Sequence, residues 1–190
     1  KITIFSYTDQ KLEVDKVVIA THADQGLRLL DDPTKIEKDI LSNFKYTKNE
    51  AYLHSDNSLM PRNHKTWSSW NFIGDSQSDK RFSLTYWMNN LQNIKSRKNY
   101  FVTINPKKVP SNYYDHTFFE HPIYDTKTIE AQKKISLIQG LKNTFYCGSY
   151  CGFGFHEDGI QSAAYISEIL KIPLPWRRDE KFQNRLNYNK

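Results

Sequence analysis

The chain has 190 residues, a formal net charge of +6, 38% hydrophobic residues and 14% aromatic residues. This composition supports a packed core and argues against a disordered chain, and no apolar run approaches membrane-spanning length. Residues 171–190 carry six Lys or Arg against two acidic residues, a net charge of +4, which leaves only +2 for the rest. We therefore predict no nucleic-acid groove, since the excess charge sits in a tail that is expected to be solvated.

The first elements are predicted to be strands and short helices. Residues 1–7 and 12–21 read as two strands, and the apolar run 17–20 is typical of a strand buried on both faces. Since the chain starts at Lys1 in what reads as the middle of a strand, it is interpreted as a fragment, a processed piece or a trimmed version of a longer protein. A short helix is expected to open at His22, and Asp32-Pro33 is expected to start a second helix.

Four further strands are predicted in the middle of the chain, at residues 48–54, 67–73, 81–88 and 100–104, with a polar hairpin loop at 74–80. They are rich in large aromatic residues: Trp67, Trp70, Phe72, Phe82, Tyr86, Trp87, Tyr100 and Phe101. Alternation places Phe82, Leu84, Tyr86 and Met88 on one face and Ser83, Thr85 and Trp87 on the other. The aromatic residues are expected mainly in the core, and a subset lining an apolar substrate pocket is the alternative.

Residues 107–121 contain no predicted element and read as a surface-crossing connection. Asp115, His116, Glu120 and His121 match no standard zinc or iron spacing, so a structural role and no metal site are expected. Asp125 or Thr126 is then expected to cap a helix that ends at Gly140.

The most informative stretch is a predicted strand, glycine loop and helix over residues 144–170. Four of the seven glycines (148, 152, 154 and 159) fall within twelve positions, which indicates sharp turns or a close approach to another group. Asp158 is predicted as the N-cap, with Gln161 completing a capping box. Free N–H groups at such a helix start attract an anion or a carbonyl-rich ring. A strand–loop–helix corner of an ordinary α/β domain is the plainer alternative.

This stretch resembles the C-terminal flavin-binding motif of the flavin-containing amine oxidase / phytoene desaturase superfamily. Four motifs resemble more closely a bacterial group of predicted NAD/FAD-binding oxidoreductases, relatives of which are fused to some plant cyclopropane fatty acid synthases. They are Cys147-Gly148-Ser149-Tyr150, Gly152-Phe153-Gly154-Phe155-His156-Glu157-Asp158-Gly159, Val17-Val18-Ile19-Ala20-Thr21-His22-Ala23-Asp24 and Tyr86-Trp87-Met88-Asn89. The likeness extends from about residue 17 to about residue 170.

The resemblance implies a partial α/β fold of the FAD/NAD(P)-binding type with an α+β mixed-sheet substrate domain. Residues 1–21 would lead back into the FAD-binding sheet, and residues 22–143 would form mainly the substrate domain. Residues 144–170 would supply the closing strand, loop and helix of the FAD domain, and residues 171–190 the basic tail. The chain would then be the C-terminal half of a two-domain flavoprotein.

The resemblance also implies FAD as cofactor and hydride transfer from an amine or apolar, lipid-related substrate. The implied FAD-binding residues are Thr21, Gly148, Ser149, Gly154, Phe155, Asp158, Gly159 and Ile160. Ser149 stands where the family often has an acidic residue, and Phe155 where amine oxidases often have a tyrosine, which puts amine oxidation in doubt. His156, Glu157 and Phe155 are weak catalytic candidates, since a histidine near the flavin can relay protons.

No Gly-x-Gly-x-x-Gly follows a strand, so the pyrophosphate fingerprint is absent from these residues. We therefore expect this chain alone to be inactive and to associate with the missing FAD-binding half or with itself. The alternative is an aromatic-rich binding module whose basic tail contacts a membrane surface or an acidic partner. Cys147 and Cys151 lack redox spacing and are expected to be buried thiols of a cytoplasmic protein.

Overall fold

In the computed structural model, the structure describes residues 1–8, 10–74, 83–176, 185, 186 and 188. The predicted hairpin loop at 74–80, apart from Gly74, and most of the basic tail lie outside these residues. The chain divides into two compact units, one of Lys1–Tyr46 with Pro122–Lys190 and one of Thr47–His121. Among the described residues, every helix is too short or too polar to cross a bilayer.

In its described residues, the first unit joins two small sheets to four helices. Strands β1 (Ile2–Phe5) and β2 (Lys11–Val14) form an antiparallel hairpin. Strand β3 (Val17–Ile19) pairs in parallel with β9 (Thr144–Tyr146), with Val18 opposite Phe145. The helices are α1 (Ala23–Arg28), α2 (Lys35–Leu41), α4 (Thr126–Lys134) and α5 (His156–Ile169).

The core of this unit lies where α2, α4 and β9 meet. Its fully buried members include Leu41 from α2, Tyr146 from β9, and Ile135 and Ile138 from the 3-10 turn after α4. The phenol of Tyr146 donates a 2.6 Å hydrogen bond to the buried carboxylate of Glu37. Burial, followed by this bond, raises the pKa of Tyr146 well above its usual value, so the phenol stays protonated and keeps β9 attached to α2.

The N-caps of α4 and α2 can be compared with the positions predicted from the sequence. The prediction that α4 is capped by Asp125 is confirmed, because its side chain accepts the N–H of Thr128 at 2.8 Å. The predicted start at Asp32-Pro33 is wrong by two residues. The N-cap is Thr34, whose N–H is bound by Glu37 at 2.7 Å in a reciprocal Thr-x-x-Glu box that satisfies two helix-terminal donors at once.

The second unit contains a five-stranded sheet in the order β5-β6-β7-β4-β8. Its strands are β4 (Lys45–His54), β5 (Trp70–Ile73), β6 (Ser83–Trp87), β7 (Phe101–Ile104) and β8 (Tyr113–Ile123). Helix α3 (Met88–Leu91) follows β6, so Met88 begins a helix and does not end the predicted strand. Pairs β4–β7, β5–β6 and β6–β7 are antiparallel.

The absence of an element in residues 107–121 was wrongly predicted, because β8 occupies most of that range as an edge strand. Nearly all its residues are exposed. An edge strand with solvent on both faces lacks the apolar–polar alternation that reveals a strand in a sequence.

The two faces of the sheet reverse the usual polarity. The buried face carries polar side chains, among them His54, Asn71, Ser83, Thr85 and Thr103. The open face carries Leu53, Trp70, Phe72, Leu84, Tyr86, Val102 and Ile104, aligned by the strand registers. The expectation that the aromatic residues lie in the core is therefore wrong for Trp70 and Phe72, which are 64% and 66% exposed. It is right for Phe101, which is fully buried; Phe82 lies outside the described residues.

Candidate functional site

The candidate site is built at the carboxyl ends of the parallel strands β3 and β9. The N–H of Cys147 donates to the carbonyl of Ile19 at 3.1 Å, which continues the pairing beyond both strands. The chain then reaches Thr21 on one side and Gly148 on the other. A Cβ at Gly148 would lie 2.7 Å from the Tyr150 ring and 3.4 Å from the Thr21 carbonyl oxygen. Thr21 and Gly148, both implied by the resemblance, are thus neighbours, and only glycine fits between them and the ring.

A one-turn 3-10 helix, Ser149–Cys151, begins the glycine loop. The buried amide of Gln132 on α4 donates to the carbonyl oxygens of Tyr150 and Gly152, at 2.8 and 2.5 Å. A buried carbonyl without a hydrogen-bond partner costs folding free energy. By binding both carbonyls, the Gln132 side chain stabilises this turn. Sequence reasoning missed Gln132, because a glutamine within a polar helix pattern gives no sign that it faces inward.

Asp158 organises the rest of the loop. It is fully buried, and its Oδ2 accepts the N–H groups of Phe153 and Phe155, both at 2.9 Å. Its Oδ1 accepts the Nε–H of Arg185 at 2.7 Å. The prediction that Asp158 is the N-cap is wrong, because α5 starts at His156 and Asp158 is its third residue. The carboxylate reaches back to the loop amides, as the acidic residue of a capping box does.

The end of the chain also differs from the expected solvated tail at positions 185, 186 and 188, whereas residues 171–176 are mostly exposed, as expected. The main-chain N–H of Arg185 donates to Gln161 at 2.9 Å, in addition to the side-chain bond to Asp158. Leu186 and Tyr188 are buried in the core of the first unit. Composition alone could not show this anchoring, because it depends on the buried carboxylate of Asp158, which requires a cationic partner.

The earlier helix start changes which N–H groups are free. Gly159 N–H already donates to the Phe155 carbonyl oxygen at 3.3 Å, as does Asp158 N–H at 3.1 Å. Within the part of the chain that the structure describes, the unpartnered donors of the first turn of α5 are the N–H groups of His156 and Glu157. The positive end of the helix dipole therefore lies three residues before the predicted position.

Around these donors the surface is aromatic and apolar. Phe153, Phe155 and Ile160 are 49%, 59% and 51% exposed. Gly154 has a φ of 89°, and a Cβ there would lie 2.8 Å from the Tyr124 hydroxyl. Glycine is thus required at Gly154 both by the left-handed backbone and by the space.

The residues implied by the resemblance fall into two groups and one exception. The first group lies exposed on the loop and the first turns of α5: Gly154, Phe155, His156, Glu157 and Ile160. The second group lies at the ends of the two strands: Thr21, Gly148 and Ser149. Asp158 is the exception. All three of its bonds are internal and it is fully buried, so it supports the loop and has no face for a ligand.

The helix is held against the strand end by one serine. Ser162 accepts the N–H of Gly148 at 2.9 Å and donates to the carbonyl of Gly159 at 2.7 Å. At Gly159 an added Cβ would meet only the Ser149 nitrogen, at 3.7 Å. The contact between strand and helix therefore depends on Ser162 and Gly148 rather than on Gly159.

The two cysteines are buried and free, as predicted. Burial raises the pKa of the Cys147 thiol, and it raises that of Cys151 to about 12. Both sulfurs are therefore held as unreactive thiols at neutral pH.

Comparison with known proteins supports the fold. No protein-family model and no curated protein matches the chain. Among solved structures, the chain is similar to the crystal structure of a CLA-producing fatty acid isomerase from P. acnes, with a TM-score of 0.50 and 16% sequence identity. The match covers 86% of this chain and 43% of the isomerase chain. The chain therefore shares a mixed α/β fold with less than half of that enzyme.

Proposed function

We propose that the chain is the C-terminal part of a FAD-dependent oxidoreductase of the flavin-containing amine oxidase / phytoene desaturase type. One observation carries the proposal. The first turn of α5 offers the N–H groups of His156 and Glu157 beside an exposed aromatic loop, at the edge where two parallel strands end. Nucleotide cofactors of α/β proteins bind outside the carboxyl ends of the strands.

The residues present fit a flavin at this edge. The main chain at Gly148 and Gly154 has no room for a side chain, because the Tyr150 ring and the Tyr124 hydroxyl lie against it, so these two glycines set the path of the loop at this edge. Phe155 offers an aromatic face, and the hydroxyls of Thr21 and Ser149 are polar groups suited to hydroxyl or carbonyl partners. FAD, when bound, supplies the acceptor for hydride transfer.

The chain's own contribution at this edge is electrostatic. The N–H groups of His156 and Glu157, with the positive end of the α5 dipole, stabilise negative charge on a carbonyl-rich ring edge placed before them. Asp158 keeps these donors in position by fixing the amides of Phe153 and Phe155. The imidazole of His156 stays a candidate for proton relay in this proposal.

An apolar, lipid-related substrate is favoured by the five-stranded sheet. Its open face is apolar, with Trp70 and Phe72 largely exposed, and an apolar face left open on a monomer marks an interaction surface. The similar fatty acid isomerase acts on an apolar chain by its name, which agrees with this class.

The proposal is tested on the complete protein. We expect it to retain flavin absorbance after reconstitution with FAD and gel filtration. Exchanging Ser149 for Ala or Phe155 for Leu should shift the flavin bands, whereas exchanging Ser96 of the second unit for Ala should not. A folded, colourless complete protein would refute the proposal.

A further inference from the structure

A pocket of about 240 Å³ lies on the open face of the five-stranded sheet. Its apolar floor is formed by Leu84, Tyr86 and Ile104 from β6 and β7, and its polar wall by Asn49, Asn105 and His121. Pockets for drug-sized ligands measure about 300–1,000 Å³. This one therefore has room for a single ring, a short chain or the end of a longer molecule.

The orientation of every group in the polar wall follows from one backbone amide. Glu50 N–H can only donate, so the atom of Asn105 facing it at 3.0 Å is the oxygen Oδ1. The amide nitrogen of Asn105 must then donate to Asn49 Oδ1, at 2.7 Å. This leaves Asn49 Nδ2 facing His121 Nδ1 at 3.0 Å. The carbonyl of Thr47, which accepts from the same nitrogen at 2.9 Å, independently gives the same orientation.

The relay determines the tautomer of His121. Asn49 Nδ2 is a donor, so Nδ1 of the imidazole accepts and the ring proton of the neutral side chain sits on Nε2. Among the described residues no partner is found for Nε2, and the ring is exposed at the pocket. The polar wall therefore presents the Nε2–H of His121 as a donor, and the hydrogen bonds from Asn105 to Asn49 and from Asn49 to His121 fix its tautomer.

The absence of charged side chains among the described residues of the pocket wall favours an uncharged ligand. None of the described residues that line the pocket is a Lys, Arg, Asp or Glu. The neighbouring carboxylate of Glu50 is already bound by Tyr52 at 2.7 Å and His116 at 2.9 Å. An anion placed on an apolar floor without a cation loses hydration that nothing replaces, whereas an uncharged oxygen acceptor needs only the one donor.

We infer that this pocket binds an uncharged amphiphile, with a carbonyl oxygen accepting the Nε2–H of His121 and an apolar ring or chain on Leu84, Tyr86 and Ile104. The inference deepens the proposed function and rests on it, since the open sheet face is the surface assigned there to the substrate. All six residues belong to one compact unit. Binding of the amphiphile can therefore be measured without flavin. The outcome of the FAD experiment and the outcome of this one are then independent of each other.

Acetophenone, ethylbenzene and benzoate test the inference, because they share one ring size and differ in the polar group. They are titrated into the full chain, and binding is followed by the imidazole nitrogen signals of isotope-labelled histidine. We expect acetophenone to bind more tightly than ethylbenzene by about three- to tenfold, the value of one neutral hydrogen bond. Benzoate should bind more weakly than acetophenone. In the free chain, the His121 signals should already show the proton on Nε2.

Two variants separate the hydrogen bond from general packing. His121→Gln should remove the preference for acetophenone over ethylbenzene. His116→Gln, on the same strand but bonded to Glu50 outside the pocket, should keep it. Asn49→Ala should leave ethylbenzene binding intact while the fixed Nε2–H tautomer is lost. Equal binding of acetophenone and ethylbenzene, tighter binding of benzoate, or an unchanged preference in folded His121→Gln would overturn the inference.

Discussion

Replacing Asp158 by alanine should show how the loop before α5 is held. The change removes Oδ2, the single acceptor of the Phe153 and Phe155 amides at 2.9 Å each, and leaves the Arg185 guanidinium without its buried partner. Hydrogen bonds to a charged group are worth about 1.5–3 kcal/mol each, so the two amide bonds predict a loss of about 3–6 kcal/mol in the free energy of unfolding. The bond to the exposed Arg185 side chain is expected to add to this loss, without a stated magnitude because solvent screens it.

Urea denaturation measures the global effect, and amide hydrogen exchange measures the local one. Exchange at Phe153 and Phe155 should accelerate in Asp158→Ala more than exchange in the five-stranded sheet. Glu157→Gln is the matched control, since the exposed Glu157 side chain accepts a hydrogen bond from Gln161 in the same helix and its change should stay within about 0.5 kcal/mol. Unchanged protection of Phe153 and Phe155 in a folded Asp158→Ala variant would show that the reasoning is wrong.

Three further predictions concern stability and reactivity. Gly148→Ala should lower the stability of the folded chain by about 1–3 kcal/mol, because the added methyl overlaps the Tyr150 ring. Gly159→Ala should instead stabilise α5 by about 0.5–1 kcal/mol. Thermal unfolding of both variants measures the difference, and equal effects would contradict the prediction. Burial lowers the pKa of His54, whose Nδ1 accepts a backbone N–H at 3.1 Å; its contribution to stability should be full above about pH 6.5 and decline as pH falls through the lowered folded pKa. The pH dependence of the urea midpoint should therefore flatten in His54→Gln, and an unaltered profile would rule this out. The Cys151 thiol, with its pKa raised to about 12, should resist a thiol reagent at neutral pH until urea unfolds the chain, and rapid native labelling would disprove its burial.

The strand–loop–helix of the first unit could be predicted because its signals are local. An apolar β-prone run, clustered glycines and a helix-period face need no knowledge of the rest of the chain. Asp158 was assigned the wrong role because an aspartate before an apolar helical pattern suits both the N-cap and the third residue of the helix. Only the positions of the Phe153 and Phe155 amides distinguish them.

The second unit was harder to predict because its sheet reverses the usual relation between polarity and burial. Thr85 and Thr103 are buried and satisfied by each other at 2.9 Å, so hydroxyls stand where alternation predicts a solvent face. Trp70 and Phe72 lie on the open face. A sequence pattern reports which residues share a face, but which face is covered depends on tertiary packing. The His121 relay was likewise invisible, since it joins residues more than fifty positions apart.

Titration of FAD, followed by calorimetry, tests the central claim most directly when the complete protein is compared with residues 1–190 alone. Binding should be tight in the complete protein. Residues 1–190 lack the pyrophosphate fingerprint, and a few lost charge-assisted bonds of about 1.5–3 kcal/mol each should weaken binding by several decades. No binding by the folded complete protein, or tight binding at sub-micromolar FAD by residues 1–190 alone, would contradict the account.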